Sequence, residues 1–192
     1  MSVSAQKGSM YLGASSISFW GDNNIGTGFF YSQKGDISIT SYGISPEFGY
    51  FISDKVAFGF IIGISGSKTE NRYYYGYMED DPLFPGTVVE KEFTFRFNPY
   101  TRYFLIREGS FGLYLQGGLN FEVETEGKFN KFGAFMNPGV SYAISSSFTA
   151  TASFGNLGFQ TISEQDAYAS TTYVFGLNLN MSTLNFSLSY TF

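Results

Sequence analysis

The stretch from Phe111 to Val123 constrains this chain more than any other. Its odd positions read Phe111, Leu113, Leu115, Gly117, Leu119, Phe121 and Val123, and its even positions read Gly112, Tyr114, Gln116, Gly118, Asn120 and Glu122. Successive side chains of a strand point to opposite faces, so this run spells a strand with one apolar face and one small or polar face. A strand of a soluble domain usually spans about 5–6 residues, whereas crossing a bilayer takes about 9–11 tilted ones. The run is long enough for the second role.

The same alternation recurs along the chain. Tyr42, Ile44, Pro46, Phe48, Tyr50 and Ile52 form one apolar set. Val56, Phe58, Phe60, Ile62 and Ile64 form another, with Ile61 as an exception on the opposite face. Phe93, Phe95, Phe97, Pro99, Thr101, Tyr103 and Leu105 follow, then Phe132, Ala134, Met136, Pro138, Val140, Tyr142 and Ile144, where Phe135 breaks the polar face. Phe148, Ala150, Ala152 and Phe154 form a shorter set. The first strand, about Ser9 to Trp20, is ambiguous, with Met10, Leu12 and Ala14 favoured as its apolar side. The last wall carries Phe175, Leu177, Leu179 and Met181 at odd positions, then changes phase to Leu184, Phe186, Leu188, Tyr190 and Phe192. A bulge near Ser182-Thr183 would join the two phases into one long strand, the preferred reading. The alternative makes Phe175–Met181 a separate extracellular arm.

No Asp, Glu, Lys or Arg falls on these apolar faces. A Lys or Arg at the bilayer midplane of a barrel costs about 2–4 kcal/mol, so that exclusion is what lipid demands. The opposite faces are rich in Gly and Ser and suit the narrow axis of an eight-stranded barrel, which bulky residues would overfill. Turn signals also alternate in length. Short ones sit at Ser53-Asp54-Lys55, Arg107–Ser110 and Ser145–Ser147; long ones run over Gly21–Gly35, Gly66–Glu90, Glu124–Lys131 and Gln160–Thr171. The sequence thus predicts an all-β, eight-stranded antiparallel up-and-down transmembrane β-barrel with both termini periplasmic. Residues 8–192 are read as one barrel domain and 1–7 as a tail, in which Val3 and Ala5 fit the end of a cleaved export signal. No run of 18 or more apolar residues is present, which leaves strands as the only means of crossing.

Composition narrows function further. The chain has 192 residues, no His and no Cys, and a net charge of -5. Thiolate chemistry and zinc-thiolate sites are absent, as is the usual general base and commonest metal ligand. An acidic chain without clustered Lys and Arg is not a nucleic-acid binder. No cofactor, metal or catalytic residue is expected.

Two segments carry a family resemblance. Ile44 to Lys55, read Ile-Ser-Pro-Glu-Phe-Gly-Tyr-Phe-Ile-Ser-Asp-Lys, resembles a recurrent second-strand-and-turn stretch. The terminal Leu184, Phe186, Leu188, Tyr190 and Phe192 resembles the outer-membrane assembly signal, which ends in an aromatic residue. On these the chain resembles the small eight-stranded outer-membrane β-barrels of Gram-negative bacteria, the OmpX-like or "porin family" group. The resemblance spans nearly the whole chain through degenerate motifs. It implies outer-membrane localisation and handling by the barrel-assembly machinery, and says little about activity, since one fold hosts many functions.

Candidate sites follow from the phase of each residue. Glu47, Arg96, Arg102 and Glu122 face inward as a charge network, read as a lumen plug, with a switchable gate as the alternative. Pairing across the turn at 107–110 places Thr94 near Glu122 and so Arg96 diagonal to it. Tyr73, Tyr74, Tyr75, Tyr77, Glu79, Asp80 and Asp81 form a surface of the long loop, either solvated or a recognition surface. Tyr50, Tyr103 and Tyr142, each four residues after Pro46, Pro99 or Pro138, suit an interfacial aromatic girdle. The expectation is a monomeric, non-enzymatic barrel in outer-membrane lipid, contributing to envelope structure or adhesion through an unidentified surface ligand. A narrow or gated small-solute pore and a soluble lipocalin-like carrier are the competing classes.

Overall fold

The computed structural model describes residues 7–27, 34–75, 84–124, 129–164, 170–178 and 185–192. Ten ladder segments appear: β1 (Met10–Thr27), β2 (Lys34–Phe51), β3 (Val56–Tyr75), β4 (Phe84–Glu108), β5 (Phe111–Glu124), β6 (Phe129–Ala143), β7 (Phe148–Ser153), β8 (Asn156–Glu164), β9 (Thr171–Asn178) and β10 (Asn185–Thr191). Neighbours pair antiparallel from β1 through β6. Both β7 and β8 pair with β6, so they are two halves of one wall. β9 pairs with β8, and β10 pairs with β7 and returns to β1, so those two form the last wall. The result is a closed eight-stranded antiparallel barrel, as the alternation predicts. The phase change of the last wall, at Ser182-Thr183, lies outside the described residues, as do Leu179, Met181 and Leu184. The placement of β9 and β10 on a single wall agrees with one interrupted strand rather than a separate arm.

The orientation of the two faces is the expected one. Leu119, Phe121 and Val123 are exposed on the outside, as are Phe48, Phe60, Phe97 and Phe132 on other walls. Tyr114, Gln116 and Glu124 of the same β5 are buried inside. Five outward phenylalanines form a continuous belt across β2 to β6: Phe48–Phe60, Phe60–Phe97, Phe97–Phe121 and Phe121–Phe132 have ring centroids 5.2, 6.0, 6.4 and 5.1 Å apart. Cross-strand aromatic neighbours of this kind stabilise a sheet by more than their area alone.

The three tight turns lie at one end, together with both chain ends. Met10 and Phe192 exchange backbone hydrogen bonds of 3.1 and 3.0 Å, and the Gly8 amide donates to Phe51 O at 2.8 Å. Two turns share a serine device. Ser53 Oγ accepts from the Lys55 and Val56 amides, and Ser145 Oγ accepts from the Ser147 and Phe148 amides. These are hydroxyl-closed turns of a kind Ser favours. The third places Gly109 at φ +57°, a left-handed position that favours glycine.

The strands are longer than the alternation shows. Residues 21–27, 66–75 and 84–90, read as loop, are ladder instead, and β1 runs on past Trp20 to Thr27. Where both faces of a sheet meet water the apolar-polar rhythm disappears while the hydrogen-bond ladder persists, so periodicity underestimates length. β4 passes the top of β5 at the Thr94–Glu124 pair and continues to Phe84, still paired with β3.

Pro46, Pro99 and Pro138 mark ladder faults. Pro46 faces Ala14 where β1 carries its extra residue between Ala14 and Ser16. Pro99 lies in a gap of the β4–β5 register between Phe97 and Tyr100. Pro138 sits where β7 gives way to β8, with the Phe154 amide donating to its carbonyl at 3.1 Å and Gly155 at φ +67°. Proline has no amide hydrogen for the ladder, so each neighbouring pairing bulges or breaks there.

Candidate functional site

Four rings close the tight-turn end of the lumen. Tyr11, Phe51, Phe104 and Tyr114 come from β1, β2, β4 and β5 and are all buried. Their ring centroids run Tyr11–Phe51 5.5 Å, Phe51–Phe104 6.0 Å and Phe104–Tyr114 5.7 Å. On the turn side, the Arg107 guanidinium lies 4.9 Å from the Phe51 ring centroid and 4.5 Å from that of Phe104.

The tyrosines fit because the residue opposite each is glycine. Tyr11 faces Gly49, Tyr100 faces Gly59 and Tyr114 faces Gly139. A Cβ added at Gly49 would fall 2.0 Å from the Tyr11 ring, and one at Gly139 2.3 Å from the Tyr114 ring. Each ring therefore folds across the neighbouring strand into space that any side chain would occupy.

Above the rings sits a buried ion pair. Arg102 Nη2 donates to Glu47 Oε1 at 2.9 Å, and both side chains are almost wholly shielded. Gln116 Oε1 accepts from Arg102 Nε at 3.1 Å and from Nη2 at 2.7 Å. The guanidinium is 5.8, 5.3 and 4.6 Å from the ring centroids of Tyr11, Tyr100 and Tyr114. The Tyr11 and Tyr100 hydroxyls are 2.6 Å apart, and Tyr100 donates to Glu47. A charge pair out of water needs further hydrogen-bond partners, and here Gln116 Oε1 serves Arg102 Nε and Nη2 while the Tyr100 hydroxyl serves Glu47 Oε1.

A second group stands closer to the loops. Arg96 Nε donates to Glu122 Oε2 at 3.0 Å, and Lys131 Nζ is 2.6 Å from Glu122 Oε1. Arg96 and Glu122 are directly opposite, not diagonal, and Thr94 faces Glu124. The hairpin closes at the Glu108–Phe111 pair and a bulge between Phe104 and Ile106 then shifts the register by one residue, which together bring Arg96 opposite Glu122. The four charges expected as one network are thus two pairs, Glu47–Arg102 and Arg96–Glu122.

Sequence reasoning did not single out Tyr11, Tyr100, Tyr114, Gln116 or Lys131. Inward phase was the available signal for the first four, whereas Lys131 fell in a segment read as loop and is part of β6, and which residues meet depends on register.

Between the pairs lies a partly open cavity of about 600 Å³. Its lining includes Asn98, Gln116, Asn120, Asn137 and Gln160 with Phe135 and Gly176. Asn98 Oδ1 and Asn137 Oδ1 are buried and accept no hydrogen bond.

The remaining candidates sit elsewhere. Tyr50, Tyr103 and Tyr142 are exposed on the outside next to the tight turns. Phe186, Leu188, Tyr190 and Phe192 are exposed on the last wall, where Tyr190 and Phe192 stack at 6.3 Å. Tyr73, Tyr74 and Tyr75 belong to the far end of β3, opposite Gly86, Pro85 and Phe84. Tyr77, Glu79, Asp80 and Asp81 lie outside the described residues.

No family model matches the chain, and no curated protein matches it. Among solved structures it is similar to the outer membrane protein OprG from Pseudomonas aeruginosa, at 12% identity over 97% of both chains with a TM-score of 0.42.

Proposed function

We propose that this chain is a non-enzymatic integral outer-membrane barrel with a sealed lumen, which holds a tall β wall outside the membrane for contact with a surface ligand. The observation that carries the sealed reading is the stack of Tyr11, Phe51, Phe104 and Tyr114 beneath the Glu47–Arg102 pair. The apolar exterior supports the membrane address, because large hydrophobic residues exposed around a closed sheet need hydrocarbon next to them. On this reading the tight turns and both termini are periplasmic, export precedes insertion, and the last strand is what the assembly machinery engages. The protein acts as a monomer.

The wall supports the contact role. Beyond Thr94 the β5 side of β4 has no ladder partner among the described residues, and Thr87 to Lys91 are exposed, including Val88 and Val89. An unpaired strand edge is a template for adding a strand from a partner. Cutting the arm back to the Gly66–Phe93 pair should abolish binding of protein-displaying cells to immobilised host or matrix proteins while the barrel still assembles. Unchanged binding would remove the contact role.

A narrow or gated pore is the second reading, favoured by the polar cavity that descends to Arg102. Planar-bilayer recordings separate the two. The sealed reading expects no steady conductance from the unmodified protein and steady openings from Tyr114→Ala with Phe104→Ala. Steady conductance in the unmodified protein would establish the pore.

A further inference from the structure

We infer that the cavity above the plug is a binding site for a small neutral saccharide. Its floor and rim charges are already engaged: Glu47 with Arg102, and Glu122 with both Arg96 and Lys131. Among the lining residues two carboxylates, Glu47 and Glu122, balance two guanidinium groups, Arg96 and Arg102, so little net field favours an ion. What faces the space is amide chemistry. Asn98, Asn120, Asn137 and Gln160 line it, and each side chain carries an amide donor pair and a carbonyl acceptor.

Phe135 adds the second half of the recognition. It is an aromatic residue on an otherwise small and polar inner face, and its neighbours across both flanking strands are Gly118 and Gly158. Gly176 continues the same row beside Gly158. Of these three glycines, Gly118 and Gly158 lie close against neighbouring backbone, and Gly176 borders open space. Among the described aromatic pairs Phe135 has no partner. A pyranose has an apolar C–H face and a rim of hydroxyls that both donate and accept, which matches one ring face surrounded by amides. The volume of about 600 Å³ lies within the range of small-molecule sites.

Gly176 gives a clean test, because a Cβ there meets nothing within 4 Å. Gly176→Trp should fill the space without disturbing the walls. Calorimetric titration of the detergent-solubilised full chain would use glucose, maltose and sucrose, with glucuronate and glucosamine as charged controls. At least one neutral sugar should bind saturably, and Gly176→Trp and Asn98→Leu/Asn137→Leu should each weaken it by about 10-fold or more. As a readout independent of refilling the cavity, Asn120→Cys in this Cys-free chain should react with a water-soluble thiol reagent more slowly when that sugar is present. Absence of saturable sugar binding, equal or tighter binding of the charged controls, or indifference to Gly176→Trp would each overturn the inference. None of these results bears on conductance or on the outer wall.

Discussion

Arg102 Nη2 lies 2.9 Å from Glu47 Oε1 across β2 and β4, inside a cage of tyrosine rings and the Gln116 amide. Removing one partner strands the other as an uncompensated buried charge, which costs about 3–5 kcal/mol. Glu47→Gln should therefore lower unfolding stability in lipid vesicles by that order. Glu47→Leu with Arg102→Met should recover most of the loss. Urea titration followed by gel mobility measures both.

The Arg96–Glu122–Lys131 group should behave differently. The Arg96 side chain is 41% exposed, so water screens the pair. Glu122→Gln should change stability by no more than about 1 kcal/mol. The same titration compares it directly with Glu47→Gln, and equal effects would contradict the layered picture of the lumen.

The tyrosine–glycine pairs predict strong coupling. Gly139→Ala should be destabilising by about 1–3 kcal/mol, because its Cβ would overlap the Tyr114 ring. Adding Tyr114→Ala should remove that overlap, so the double variant should be more stable than the sum of the singles requires. Additive effects would mean that the ring does not lie across Gly139.

How much of this was legible in the sequence depends on range. Phe111 to Val123 announces its two faces because lipid and a narrow axis impose opposite side-chain types on alternate residues. The upper halves of β3 and β4 were invisible, since Thr69, Glu70, Val88 and Val89 carry no such contrast. Arg96 and Glu122 were legible as inward residues, but their direct opposition depends on a bulge near Leu105 that no periodicity reveals. The pairing of Tyr114 with Gly139 is of the same kind. Each residue looks ordinary alone, and only register brings them together.

A charge on the outer belt should be costly in proportion to depth. Leu119 lies midway along β5, and Leu119→Arg should cost about 2–4 kcal/mol, whereas Tyr142→Arg next to a tight turn should cost about 0–1 kcal/mol. Vesicle unfolding curves measure the gradient.

Spin labels at single introduced cysteines test the inside-out arrangement most directly. Labels at Leu119 and Phe132 should collide with membrane-dissolved oxygen and escape a water-soluble nickel chelate, while labels at Asn120 and Ser153 should show the reverse preference. Nickel contact at Leu119 and Phe132, with Asn120 and Ser153 shielded from it, would contradict a barrel that turns its hydrocarbon side chains to lipid.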